Sequence, residues 1–274
     1  RQKALSVNVL DNIFNKKQSN FFLIAGPCVV ENSKDAFKIC KEIMKSCDNY
    51  NIPFIFKSSF KKANRSSLNS FTGIGDKKAL EILDEIRTNF NVPVITDVHT
   101  KEDIDLAKSY VDILQIPAFL CRQTDLILHA SKTNLPINIK KGQFMSASSM
   151  KFVVEKIESV GNKRILLTER GTSFGHNDLI VDFRQIHLMK QLNYPVIIDV
   201  THSLQLPNQK SGITGGRPEF IDVISKAGIA SGVNGVFLET HFKPEEALSD
   251  GHNMLKLSSL DHLLKKLSDL YRAL

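Results

Sequence analysis

A chain of 274 residues, 42% hydrophobic and 24% charged, can bury a sizeable core as one barrel-sized domain or two ordinary ones. No run approaches the roughly 18 uninterrupted apolar residues of a membrane span, which excludes that class. The net charge of +7 is dispersed and no tryptophan accompanies it, so the pattern argues against a nucleic-acid surface and for a solvated lysine-rich exterior with a pocket for small anions.

Residues 1–20 are expected to precede the first strand, and they lack the apolar core of a secretory signal. From there short β-branched runs recur: FFLIAGP (21–27), PFIFKSS (53–59), PVITDVH (93–99), DILQIPAF (112–119), PINIKKG (136–142), ILLTERG (165–171), PVIIDVT (195–201) and GVFLETH (235–241). Between and after them lie helical spacings such as DAFKICKEIMKSC (35–47), DKKALEILDEIRTNF (76–90), SMKFVVEKIESV (149–160) and LDHLLKKLSDLYRAL (260–274). Strict alternation predicts a parallel sheet with helices outside. Eight units in this length fit a closed (β/α)8 barrel, a TIM barrel spanning 1–274 as one domain, better than an open doubly wound sheet. The glycine-rich SGITGG (211–216) does not stand as GxGxxG between strand and helix, and is expected to be a loop after the seventh strand. Cys28, Cys40, Cys47 and Cys121 form no CxxC pair, which suits a reducing compartment, so a cytoplasmic location is expected.

Each strand carries chemistry at its C-terminal end: Cys28, Lys57, Asp97 with His99, Gln115, Lys140, Glu169 with Arg170, Asp199 with His202, and Glu239 with His241. Any one of these is explained by a strand ending at solvent. Eight in phase predict one shared mouth, and the cations among them predict anionic ligands. Gln115, polar within an apolar run, should face that mouth, with Arg122 on its rim.

The stretches IAGPCVVE (24–31), KSSFKKANRSS (57–67), TDVH (96–99), QIPAFLCRQTDL (115–126), IKKGQF (139–144), TERGTSFG (168–175), DVTHSLQLP (199–207) and LSDGHNML (248–255) together resemble the 3-deoxy-D-manno-octulosonate 8-phosphate synthase family, in order and through nearly the whole chain. The resemblance implies a (β/α)8 barrel, tetrameric, that condenses phosphoenolpyruvate with D-arabinose 5-phosphate and releases phosphate on the route to lipopolysaccharide. The chemistry the resemblance implies is attack of carbon 3 of phosphoenolpyruvate on the pentose aldehyde, addition of water at carbon 2, and collapse of the hemiketal phosphate. The resemblance assigns Lys57 and Lys62 to phosphoenolpyruvate, Asn64, Arg65 and Ser66 to the pentose phosphate, and Gln115, the Ala118 backbone, Lys140 and Arg170 to the phosphoenolpyruvate phosphate, with Asp97 a further substrate-binding residue. Arg122 would reach a neighbouring subunit's sugar phosphate.

Family members with cysteine at the position of Cys28 use a divalent metal, so Cys28, His202, Glu239 and Asp250 are the implied ligands, for Zn, Fe or Mn. Cys28, Lys57, Lys62, His202 and Asp250 are thereby placed at the reacting centre. The substrates bring roughly five negative charges, against which Lys57, Lys62, Arg65, Arg122, Lys140 and Arg170 supply six cationic groups. Lys61, where the family often has Asp, and Lys141 are expected to be surface neighbours of that set. The loop SGITGGRPEF (211–220) and the HN of LSDGHN (248–253) also depart from the family, and His252 is expected to be an exposed loop histidine. The alternatives are the sister heptulosonate synthase, which takes erythrose 4-phosphate and carries KPRT where this chain has KANRSS, and, distantly, a basic nucleic-acid-binding protein.

Overall fold

Eight parallel strands pair in sequence order: β1 (Phe22–Gly26), β2 (Phe54–Lys57), β3 (Val94–Asp97), β4 (Ile113–Ile116), β5 (Ile137–Lys140), β6 (Ile165–Glu169), β7 (Val196–Asp199) and β8 (Gly235–His241). β1 then pairs with β8, so the sheet closes and the barrel has no edge. The computed structural model describes residues 3–15, 19–63, 70–209 and 214–274. Helices α2 (Ser33–Asp48), α3 (Asp76–Phe90), α4 (Lys101–Ala107), α5 (Thr124–Ser131), α6 (Met150–Glu158), α7 (Arg184–Lys190), α8 (Ile221–Ala230) and α9 (Leu260–Ala273) follow the strands one by one, and α1 (Lys3–Phe14) precedes β1. The (β/α)8 barrel expected from the alternation is therefore observed.

Local rules account for the elements. α2 starts where the Asn32 side chain accepts from the Asp35 backbone N–H, and its buried Ala36, Ile39, Cys40, Ile43 and Cys47 recur at helical spacing. α4 opens on a capping box between Thr100 and Asp103. The strands are buried on both faces, which is why they read as apolar runs.

Side chains alternate across each strand, and this period of two builds the site. Inward-facing Phe22, Ile24, Ile55, Ile95, Ile113, Leu166, Ile197 and Phe237 form one apolar cluster inside the barrel. Two residues further on, the same face carries Lys57, Asp97, Gln115, Asp199 and Glu239. The barrel is thus oil at its N-terminal end and charge at its mouth. Leu10 and Ile13 of α1 join the apolar cluster, with Val9 and Phe14 packed against it, and close the lower end, so this part of the expected extension belongs to the interior packing.

Smaller pieces decorate the mouth. Thr172–Phe174 and Asp178–Ile180 form a hairpin after β6. After β7, Gln205–Leu206 pairs with Gly215–Gly216. That pairing corrects the expectation of a plain loop across 211–216: its last two residues are in a ladder, and 211–213 lie outside the described residues. Among the described residues no helix is long and apolar enough to cross a membrane.

Candidate functional site

A cavity of about 330 Å³ opens at the C-terminal mouth, with Lys57, Lys62, Asp97, Gln115, Ala118, Lys140, Arg170, His202 and Asp250 in its wall. The predicted convergence of strand ends is met by these residues. The lysines are not free. Lys57 Nζ lies 2.6 Å from Glu239 Oε1 and donates to the Cys28 carbonyl at 3.0 Å. Burial pushes the Glu239 carboxyl up, and Lys57, His202 and Lys62 more than offset it, holding the group at about 2. Lys140 Nζ is 2.5 Å from Asp199 Oδ2 and 3.0 Å from the centre of the Phe237 ring. Burial lowers Lys140 to about 8, with Asp199 acting the other way.

Asp199 is the hinge of this wall. Its Oδ1 accepts from the backbone N–H groups of Thr201 and His202, at 3.1 and 2.9 Å, and its Oδ2 faces His202 Nδ1 at 2.8 Å. The imidazole is thereby aimed, with Nε2 3.6 Å from Glu239 Oε1. Asp97, on the opposite wall, accepts from Ser59 and pairs with His99 Nε2 at 3.1 Å.

The anion-facing side is organised by a chain of amides and hydroxyls. Thr168 donates to Asn138 Oδ1 at 2.6 Å, which orients Asn138 to donate to Gln115 Oε1 at 3.0 Å. With its oxygen taken, Gln115 offers the cavity its amide N–H groups. Arg170 donates through Nη2 to Gln205 at 2.6 Å, while its buried Nη1 has no hydrogen-bond partner among the described residues. An unsatisfied buried guanidinium nitrogen is costly unless a ligand meets it, and a phosphate oxygen is suited to do so.

Cys28 Sγ, a Glu239 carboxylate oxygen and an Asp250 carboxylate oxygen lie within 4.8 Å of one another. The thiol donates to Asp250 Oδ2 at 3.2 Å, and burial, then Glu239, push the thiol well up. Glu239 Oε2 is buried without a hydrogen-bond partner among the described residues. A thiol raised by neighbouring carboxylates and an orphaned carboxylate oxygen are the signature of donors that suit a divalent cation. Three of the four implied ligands form this cluster. His202 stands beside it, touching Glu239 rather than completing the set within the same radius.

Several expectations need correction or placement. Lys141 is not a surface charge. It is fully buried, 3.5 Å from Glu169 Oε1, and donates to the Met145 and Gly142 carbonyls and to Thr172. Lys61 is half-buried and ion-paired with Asp103 and Asp76. His241 leaves the mouth, with its Nδ1 engaged by the Lys243 backbone, and His252 is exposed as expected. Asn64, Arg65 and Ser66 lie outside the described residues, and Arg122 is exposed on the rim. The six-cation count also omitted the counter-charges. Among the described residues Lys57, Lys62, Lys140, Arg170 and the His99 imidazolium stand against Asp97, Asp199, Glu239 and Asp250, so the cup is nearly neutral. Asp97 and His99 were visible as strand-end polar residues, yet Ser59 and Asp103, which orient them, carried no sequence signal beyond a helix cap.

A closed (β/α)8 barrel whose mouth holds buried lysine–carboxylate pairs, an unsatisfied arginine and a thiol–carboxylate cluster defines a barrel enzyme for anionic metabolites. The chain belongs to the DAHP synthetase I family, whose model matches residues 4–274. It is similar to proteins named 2-dehydro-3-deoxyphosphooctonate aldolase: 46% identical over 245 residues to that of Geobacter sulfurreducens, covering 89% of this chain and 90% of the relative. The Koribacter versatilis protein of that name is 51% identical over 249 residues, covering 90% and 89%. The one from Dichelobacter nodosus is 49% identical over 247 residues, with the same two shares.

Proposed function

We propose that the chain is a transferase that condenses phosphoenolpyruvate with D-arabinose 5-phosphate and water, giving 3-deoxy-D-manno-octulosonate 8-phosphate, a lipopolysaccharide precursor, and inorganic phosphate. The observation that carries this is the mouth itself, where Lys57, Lys62, Lys140 and Arg170 reach one cavity from three separate segments. The names of the relatives favour the octulosonate reaction over the heptulosonate alternative, as does KANRSS in place of KPRT.

Lys140, Arg170, the Gln115 amide and the Ala118 N–H would hold the phosphoenolpyruvate phosphate, and Lys57 with Lys62 its carboxylate. Asp97 would accept from the pentose hydroxyls, while Asn64, Arg65 and Ser66 would take the sugar phosphate. Fixing two like-charged substrates in register is the protein's main contribution, since each would repel the other in water. His202, aimed by Asp199, is placed to hold or pass a proton at Nε2.

Cys28, Glu239 and Asp250, with His202 adjacent, would hold a divalent metal, Zn, Fe or Mn. Such an ion supplies Lewis-acid polarisation and added positive charge when bound. The near-neutral cup supports this, because its own cations are largely matched by its own carboxylates before roughly five negative charges arrive.

Arg122 is exposed on a rim where Phe119, Phe144 and Phe174 are also exposed, which supports a homotetramer in which Arg122 serves a neighbour's sugar phosphate. The four buried, unpaired cysteines suit the cytoplasm.

The test is phosphate release from phosphoenolpyruvate with arabinose 5-phosphate or erythrose 4-phosphate, before and after chelation and Mn2+ addition. Release with the pentose alone, lost on chelation and regained with metal, is expected. Preference for the tetrose overturns the substrate, and full turnover in metal-free protein overturns the metal.

A further inference from the structure

Lys61 and Lys62 are consecutive and point to opposite sides. Lys62 turns into the cavity, with Nζ 3.9 Å from Asp250 Oδ2, whereas Lys61 turns outward onto Asp103 Oδ1 and, at 3.2 Å, onto Asp76. Asp103 is half of the α4 capping box, and its other oxygen accepts from the His99 backbone N–H at 2.9 Å and faces His99 Nδ1 at 3.3 Å. His99 Nε2 in turn faces Asp97 Oδ2 at 3.1 Å, and Asp97 Oδ1 accepts from Ser59. An unbroken line of contacts therefore runs from a half-buried lysine outside the barrel to a carboxylate in the cavity wall.

We propose that Lys61, Asp103 and His99 form a positioning relay that fixes the Asp97 carboxylate in the cavity wall as an oriented acceptor for the sugar-phosphate substrate. The proposal rests on the synthase reading for its substrate, but not for its geometry.

Both ring nitrogens of His99 face carboxylate oxygens. Only the doubly protonated ring can donate to both, since a neutral imidazole would turn a lone pair on one of them. The groups facing His99 are Asp97 on β3, Asp103 on α4 and, through Asp103, Lys61, with Asp76 beyond it. Ser59, Lys57 and Lys62 lie on the far side of Asp97. Burial lowers His99, and Asp103 and Asp97 overcome this and raise it to about 9.

Lys61 and Asp103 therefore act on His99 with opposite signs. Asp103→Asn keeps an oxygen for the α4 cap but removes the charge that holds the imidazolium. Lys61→Met removes a cation that competes for Asp103. Lys61→Arg keeps that cation.

The experiment uses the full-length enzyme with its metal. Histidine labelled at Cε1 gives the His99 titration by NMR, assigned with His99→Gln, and steady-state kinetics give kcat and KM for both substrates across pH. Asp103→Asn is expected to lower the His99 titration by about one unit or more, and to cut kcat/KM for arabinose 5-phosphate about threefold or more beyond its effect at pH ~6.5 when measured at pH ~8.5. KM for phosphoenolpyruvate should hardly move. Lys61→Met should shift His99 upward, and Lys61→Arg should restore the wild-type profile. Shifts of the same sign in both variants, no shift, or a loss equal at every pH and for both substrates would overturn the relay. An enzyme inert toward arabinose 5-phosphate overturns the function proposed above, whereas unmoved His99 titration in an active enzyme overturns the relay alone.

Discussion

Replacing Lys141 with methionine leaves the shape of the barrel wall nearly unchanged and strands a charge. Lys141 and Glu169 are 0% and 1% exposed, and among the described residues Lys141 is the cation paired with that carboxylate. Burial already raises Glu169, with Lys141 working to lower it. Without the lysine the carboxyl rises further and takes a proton, which caps the electrostatic cost. Between an unfolded value near 4.3 and neutral pH lie roughly 2.7 units, worth about 1.4 kcal/mol each, so this part cannot exceed about 3–4 kcal/mol. The Met145 and Gly142 carbonyls and the Thr172 hydroxyl also lose a donor, and the total expected at neutral pH is about 3–5 kcal/mol, in the range for breaking a buried pair.

The sign with pH follows from the raised carboxyl. A native state that keeps its Glu169 proton to higher pH than the unfolded chain is most stable at low pH, and loses that advantage as pH rises through the native value. The deficit of Lys141→Met should therefore grow from pH ~5 to pH ~7.5. Urea unfolding followed by circular dichroism measures it, since the chain has no tryptophan to report. Lys141→Met with Glu169→Gln should recover most of the loss. A deficit below about 1 kcal/mol at neutral pH, or one flat between the two pH values, would refute the reasoning.

Three further outcomes are expected. Gly26→Ala would place Cβ 1.9 Å from the Lys57 carbonyl oxygen across β1 and β2, so folding should fail or lose more than about 4 kcal/mol; Gly161→Ala, at φ 84° with open space around it, should lose only about 1 kcal/mol in the same unfolding assay. Ile13→Ala in α1, 1% exposed against the barrel interior, should cost about 2–5 kcal/mol of stability and leave phosphate release at 25 °C unchanged, because α1 closes the end opposite the mouth. Lys140, lowered to about 8, is charged below that pH and neutral above it, so kcat/KM for phosphoenolpyruvate should fall as pH rises through this value; Lys140→Arg should remove that limb from the pH profile.

The strands and the site were legible for one shared reason. Parallel strands buried on both faces read as apolar runs, and within each run the last inward position shows its polarity because it reaches the mouth. Lys57, Asp97, Gln115, Lys140, Asp199 and Glu239 were found that way. Lys141 was misread because it is one residue past the inward position and so belongs to the outer face of the strand. At the end of β5 that face meets the 142–145 turn and the Thr172–Phe174 hairpin instead of water. Lys61 was misread similarly: a charge beside a charged motif looks solvated until α4 brings Asp103 to it.

The amino-acid sequence by itself determined the alternation, the closure into eight units and the side chains that face inward, because periodicity and apolar burial are local properties. Only the tertiary structure decided which cation meets which carboxylate. Those pairings join residues far apart along the chain, 182 positions in the case of Lys57 and Glu239, and Coulomb energy depends on separation in space and on burial, neither of which spacing along a chain contains.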